Sequence, residues 1–216
     1  MIVRNRDFYS ELLYTGHKSI SSSMYCKDST QRLPLADNSI DLIITSPPYV
    51  TSYDYADLHQ LSILWLSGDT DYFKQWKKFV GANFKRNKCL QFDREIAEKI
   101  ISDLKSNNNS LSMDIANYFS DMRSAFGEMH RVLKPNGKIC IIIGNTNMNG
   151  IEILNAEVAA EQMYRVGFRK VEFIKRLISN KLIAPWRDAK TGKFTTLSNP
   201  FKKRIYEHEY VVVMKK

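Results

Sequence analysis

No Gly-x-Gly occurs anywhere in the 216 residues; the nine glycines stand apart, at positions 16, 68, 81, 127, 137, 144, 150, 167 and 192. The chain therefore has no glycine-rich turn of the kind that lets a backbone approach a nucleotide-like cofactor after a first strand. Cysteine is scarce. Cys26, Cys89 and Cys140 are odd in number and far apart, no CxxC pair exists, and the four histidines lack metal-ligand spacing. This pattern excludes a zinc ribbon and a disulfide framework. Each cysteine sits in or near an apolar stretch and reads as a small buried hydrophobe rather than a nucleophile. No apolar run reaches bilayer length and the N-terminus has no apolar signal core, so a cytoplasmic protein with no membrane partner is expected. Acidic residues are also short, 23 against 32 lysines and arginines, for a net charge of +9. That balance suits a polyanionic partner, though a merely basic soluble enzyme would share it.

What is present alternates between two periodicities. Short apolar runs predict buried strands at Ile40 to Thr45, Lys138 to Ile143, Val171 to Ile178 and Tyr210 to Met214, with a weaker candidate from Ile20 to Cys26. Pro135-Asn136-Gly137 is a turn signal before the second of these. Between them, Ile115, Tyr118, Met122, Ala125, Met129 and Val132 mark one face of a helix over Ile115 to Leu133. A second helix is predicted over Ile151 to Val166, with Gly167 as its C-terminal cap. Strands alternating with helices argue a parallel, doubly wound α/β sheet, and the last two strands could form an antiparallel edge. Residues 67–112 break this rhythm and read as an insertion. Within it, Lys74 to Lys88 mixes six basic residues with Trp76, Phe79 and Phe84, and Ser106-Asn107-Asn108-Asn109-Ser110 reads as a flexible loop.

The segment with chemical content is Ser46-Pro47-Pro48-Tyr49, at the carboxyl end of the first strong strand. Ligands of doubly wound sheets bind beyond such ends. Consecutive prolines fix the backbone, leave the ladder and free their carbonyls to face a pocket. Alone, a diproline after a strand is as readily a structural turn.

Its flanks narrow the choice. The run from Asp37 to Tyr49, DNSIDLIITSPPY, resembles the catalytic motif of amino-directed DNA methyltransferases, the N4-cytosine and N6-adenine enzymes. Val132 to Lys138 looks like the helix-turn-strand that follows in the same fold, and the resemblance spans roughly Met24 to Lys216. It implies an α/β fold: a Rossmann-like class I methyltransferase sheet, incomplete (about strands 3 to 7), with an inserted lobe, the 216 residues forming a single partial methyltransferase domain. It also implies S-adenosyl-L-methionine as the methyl donor and DNA as a partner, in the setting of restriction-modification.

The site residues follow from the resemblance. Ser46, Pro47, Pro48 and Tyr49 match the catalytic loop. The Ser46 side chain and Pro47 carbonyl would accept hydrogen bonds from the exocyclic amine of a flipped base, and Tyr49 would stack on it. Serine before Pro-Pro-Tyr is more typical of N4-cytosine enzymes, without excluding adenine. Asp28 lies where the family often has an acidic residue near the donor's adenine; a turn cap is the structural alternative. Tyr53, Tyr55 and Asn145 are candidates for lining the target pocket, although Asn145 also suits a strand-ending turn. Trp186 and Arg187, in a basic loop with Lys190 and Lys193, are candidates for DNA contact, or for a solvated surface.

The resemblance fails at the donor site, where the glycine-rich turn should be. Either a second polypeptide supplies that motif, the chain being the catalytic half of a split enzyme, or the chain is one part of a longer one; the separate polypeptide is the favoured expectation. Two rivals remain: a non-catalytic DNA-binding specificity subunit that keeps a methyltransferase shape, and a methyltransferase of RNA or protein glutamine. Those last relatives tend to carry asparagine where Ser46 stands.

Overall fold

The structure, a computed structural model, describes residues 2–15, 21–48, 50, 60–67, 80, 96–148, 150–178, 186–189, 195–204 and 208–216. Among these, the central feature is a four-stranded mixed sheet. Its strands are β1 (Ile40–Thr45), β2 (Leu133–Ile143), β5 (Arg169–Leu177) and β8 (His208–Lys215), in the order β1-β2-β8-β5. Within this sheet only β1 and β2 are parallel; β8 runs antiparallel to both β2 and β5. The expected parallel, doubly wound sheet is thus corrected to a mixed one. The last two strands do pair antiparallel, but β8 lies inside the sheet. Its Val212 and Met214 are buried in the core, whereas β5 is exposed along its length and takes the edge.

Helices α3 (Ile96–Asn107), α4 (Asn109–Val132) and α5 (Asn155–Val166) pack with this sheet, while α1 (Ile2–Tyr14) and α2 (Gln60–Ser67) carry mostly exposed side chains. Two short hairpins complete the described elements: β3 (Thr146–Met148) with β4 (Ile151–Ile153), and β6 (Trp186–Asp188) with β7 (Lys202–Arg204). None of the described helices is long and apolar enough to cross a membrane.

Several boundaries moved for identifiable reasons. The predicted helix start at Ile151 is strand β4, because Gly150 at φ 82° turns the chain into a hairpin before Asn155 begins α5. The asparagine-rich stretch at 106–110 is a one-residue break between helices. Asn108 caps α4, its side chain accepting from the Leu111 N–H at 3.0 Å. Residues 96–112, the last part of the expected insertion, bury Ala97, Ile100 and Leu104 in the same core as the sheet; most of 67–95 lies outside the described residues. Pro135-Asn136-Gly137 does turn the chain, but as an irregularity inside β2, with Asn136 at φ 66° and the pairing with β1 shifted there. The weak strand at Ile20 to Cys26 is absent: residues 21–28 have no regular structure and are exposed. Its three serines give it no apolar face to bury against a sheet. Cys26 is accordingly exposed, Cys140 is half-buried in β2, and Cys89 lies outside the described residues.

Gly167 ends α5 as its sequence position suggests. It sits at φ 120°, and its N–H reaches the carbonyls of Met163 and Tyr164. A Cβ there would stand 2.7 Å from His130 Nε2, and that ring packs edge-on against Phe168 at 5.0 Å. Gly167→Ala should therefore cost about 1–3 kcal/mol from the strained backbone and the crowded ring. A lowered denaturant midpoint with unchanged slope would show it.

The two faces of the sheet differ sharply. Ile139, Ile141, Ile143, Val212 and Met214 point to one side and are fully or almost fully buried in the core cluster that includes α4 and α5. Register places Leu42 opposite Lys138, Ile44 opposite Cys140, and Ile142 opposite Val211, which faces Ile174. On this second face Leu42 is 52% exposed, Ile44 65% and Ile174 47%. Leu42, Ile44 and Ile174 thus leave apolar surface open on this face.

A clamp holds the approach to β1. Arg131, in the last turn of α4, pairs with Glu128 and Asp37 and donates to the carbonyls of Leu35 (2.9 Å) and Leu33 (3.2 Å). Its hydrogen bond holds the Glu128 carboxyl below the usual carboxylate range. Lys216 Nζ reaches Leu133 O (2.8 Å) and His130 O (2.6 Å), closing the end of the same helix.

Candidate active site

β1 and β2 end side by side because they are parallel, so Ser46 and the Gly144-Asn145 turn leave the sheet at the same edge. The apolar run Ile40–Thr45 stops there because Pro47 and Pro48 have no N–H for a ladder. Ser46 is exposed, Pro47 buried and Pro48 half-buried.

Two hydrogen bonds tie this loop to different elements. Ser46 Oγ donates to the Ile142 carbonyl of β2 at 3.1 Å. Tyr118, on the buried face of α4, donates its hydroxyl to the Pro48 carbonyl at 2.8 Å. A hydroxyl has one proton and two lone pairs. With its proton directed at Ile142, Ser46 can meet a further polar group only as an acceptor. Nothing in the described residues hydrogen-bonds to the Pro47 oxygen.

The turn after β2 is tightly organised. Asn145 Nδ2 donates to Glu157 at 2.9 Å, and its Oδ1 accepts from the Ala156 N–H at 3.0 Å. Asn155 is 2% exposed and donates to the Gly144 carbonyl at 3.0 Å. Asn145 thus satisfies the first turn of α5, where the preceding Leu154 offers no side-chain cap. A cavity of about 10 Å³, lined by Tyr118, Phe119, Ile143, Asn155 and Gln162 among others, lies in the adjoining core. It has room for one water-sized molecule, not a nucleobase. One turn before Tyr118, burial pushes the Asp114 carboxyl above the usual carboxylate range.

The DNA methylase family matches residues 40–216, from the first residue of β1 through the last residue of the chain. This chain belongs to that family. It is similar to two curated relatives, both named as Type II methyltransferases. M.MvaI of Kocuria varians is 24% identical over 203 residues, covering 88% of this chain and 44% of the relative. M.BsoBI of Geobacillus stearothermophilus is 24% identical over 182 residues, covering 68% of this chain and 35% of the relative. The chain thus spans less than half the length of these relatives. Among solved structures, a protein named as a DNA modification methylase from Thermus thermophilus, complexed with S-adenosyl-L-methionine, aligns with a TM-score of 0.40 at 15% identity. That alignment covers 85% of this chain and 50% of the other.

Of the remaining expected site residues, the structure describes Asp28, Trp186 and Arg187. Tyr49, Tyr53 and Tyr55 lie outside the described residues. Asp28 Oδ1 accepts from both the N–H and the hydroxyl of Thr30, at 2.9 and 2.7 Å, which is the turn cap that its sequence position also allowed. Trp186 and Arg187 belong to strand β6 rather than to a loop. The pairing Trp186↔Arg204 and Arg187↔Lys203 builds a hairpin, with Lys202 Nζ 5.9 Å from the Trp186 ring centre. Tyr118 and Asn155 read in the sequence as ordinary helix positions. The signal for Tyr118 was a phenol on a core face otherwise made of hydrocarbon, since a buried hydroxyl must find a partner.

Proposed function

We propose that this DNA methylase is the catalytic part of an amino-methyltransferase, alkylating the exocyclic amine of a flipped DNA base, with N4 of cytosine favoured by serine at position 46. The observation that carries this reading is the orientation of Ser46. Its only proton is committed to Ile142, so its lone pairs are available to an N–H donor. An exocyclic amine is a poor nucleophile because its lone pair is delocalised into the ring. Two acceptors, Ser46 Oγ and the Pro47 carbonyl, would draw its N–H bonds out of the ring plane and localise that lone pair on nitrogen. Tyr49 would hold the base by stacking, and Tyr53 and Tyr55 would line the pocket around it. Trp186 and Arg187 would contact DNA from the β6–β7 hairpin, beside Lys202. Asn145 contributes indirectly by fixing the turn and the start of α5.

S-adenosyl-L-methionine is the donor in this reading and supplies an electrophilic methyl group. The described residues do not fit it by themselves. No glycine-rich turn follows a strand, and Asp28, the expected adenine contact, already serves its own turn. We place the donor-binding elements in a second polypeptide that packs on the open face of the sheet. Two observations support this: the absent Gly-x-Gly, and the exposed Leu42, Ile44 and Ile174.

Transfer of a labelled methyl group from S-adenosyl-L-methionine tests the substrate class. In its native assembly the chain should label duplex DNA and leave RNA and protein unlabelled. Labelled RNA or protein with unlabelled DNA would overturn the reading.

A further inference from the structure

The loop Ser46-Pro47-Pro48 cannot be held as loops usually are. Neither proline has an amide hydrogen, so the diproline offers no backbone donor to any neighbour. Its position depends on its oxygens and on the serine hydroxyl. Ser46 is tied to β2. The one described bond on the diproline carbonyls comes from Tyr118, seventy residues away in sequence, at 2.8 Å.

We infer that Tyr118 is a positioning residue for methyl transfer, its hydroxyl holding the Pro48 carbonyl and with it the diproline of the loop. The inference rests on the catalytic reading of the loop given above. The anchor is rigid. Tyr118 is 3% exposed, sits in the middle of the 24-residue helix α4, and has buried Ile115 and Met122 on the same face. Its ring lies 5.7 Å from that of Phe119. A phenylalanine would fill this space equally well, so packing alone does not account for the hydroxyl. Alignment of reacting groups is steep in its effect on rate, because a displacement of about 1 Å can cost on the order of a hundredfold.

The test is steady-state and single-turnover kinetics of Tyr118→Phe in the DNA-methylating assembly, beside Tyr49→Ala. The expected result is a ten- to hundredfold lower kcat per active site, with sites counted by stoichiometric DNA binding. KM for DNA and for donor should stay within about twofold, and the melting temperature within a few degrees. A merely structural role would lower the melting temperature and the fraction of DNA-binding sites while leaving kcat per active site unchanged, and that would overturn the inference. The two claims fail separately. If Tyr49→Ala is impaired but Tyr118→Phe turns over normally, the positioning role falls and the loop stays catalytic. If Tyr49→Ala methylates at the normal rate, the catalytic reading falls, and the inference with it.

Discussion

Ser46→Ala in the methylating assembly is expected to lower kcat by about a hundredfold or more with little change in KM for DNA. Removing one positioned hydrogen-bond partner of a developing charge typically costs on the order of 10²–10³ in rate. The amine becomes more positive as it attacks, so its N–H bonds to Ser46 strengthen on the way to the transition state. This is the signature of an interaction that raises kcat rather than tightening substrate binding. Affinity for DNA should hold because most contacts to duplex DNA are made to phosphates, for which a net charge of +9 is suited. Tyr49→Ala differs in kind. Base–aromatic stacking is worth about 1–3 kcal/mol, so its loss should weaken retention of the flipped base and lower kcat/KM by roughly ten- to a hundredfold. Ser46→Ala with a normal kcat would remove the acceptor role assigned to that hydroxyl.

The second large effect concerns the open face of the sheet. Leu42 and Ile44 are about half or more exposed in the chain by itself, so Leu42→Asp with Ile44→Asp should barely change its unfolding free energy, as surface substitutions usually do. In an assembly that buries this face, two carboxylates would be desolvated without partners, at a cost of several kcal/mol. The double variant should fold, show the wild-type melting curve alone, and neither assemble nor methylate. Size-exclusion chromatography and methyl transfer measured on one preparation decide it. An assembled, active double variant would show that the partner binds elsewhere.

Much of this was legible in the sequence, but unevenly. β1 and its Pro-Pro stop were readable because an apolar run and two residues without N–H groups act locally. The Gly167 cap was readable for the same reason: left-handed backbone and residue type coincide at one position. Sheet order was not. Nothing local in the YVVVM run states that it inserts between β2 and β5, because that pairing is long-range. The helix at 96–107 was hidden inside an apparent insertion, since its apolar face becomes visible only where Ala97, Ile100 and Leu104 meet the core. At the site, Ser46, Pro47 and Pro48 were found by resemblance. Their two anchors, Ile142 and Tyr118, were not, since each depends on a contact across about 70–96 residues. Asp28 and Asn145 illustrate the converse. Short polar side chains near turns satisfy backbone groups so readily that their sequence positions alone do not mark a binding role.

Mass spectrometry of nucleosides from DNA methylated by the assembly bears most directly on the acceptor geometry. The account predicts a methyl group on an exocyclic nitrogen, N4-methylcytosine before N6-methyladenine, and roughly ten- to a hundredfold slower formation of it with Tyr49→Ala at sub-saturating DNA. A methyl group on a ring carbon, such as C5 of cytosine, would contradict it, because a serine and a proline carbonyl that accept N–H bonds have no part in that chemistry.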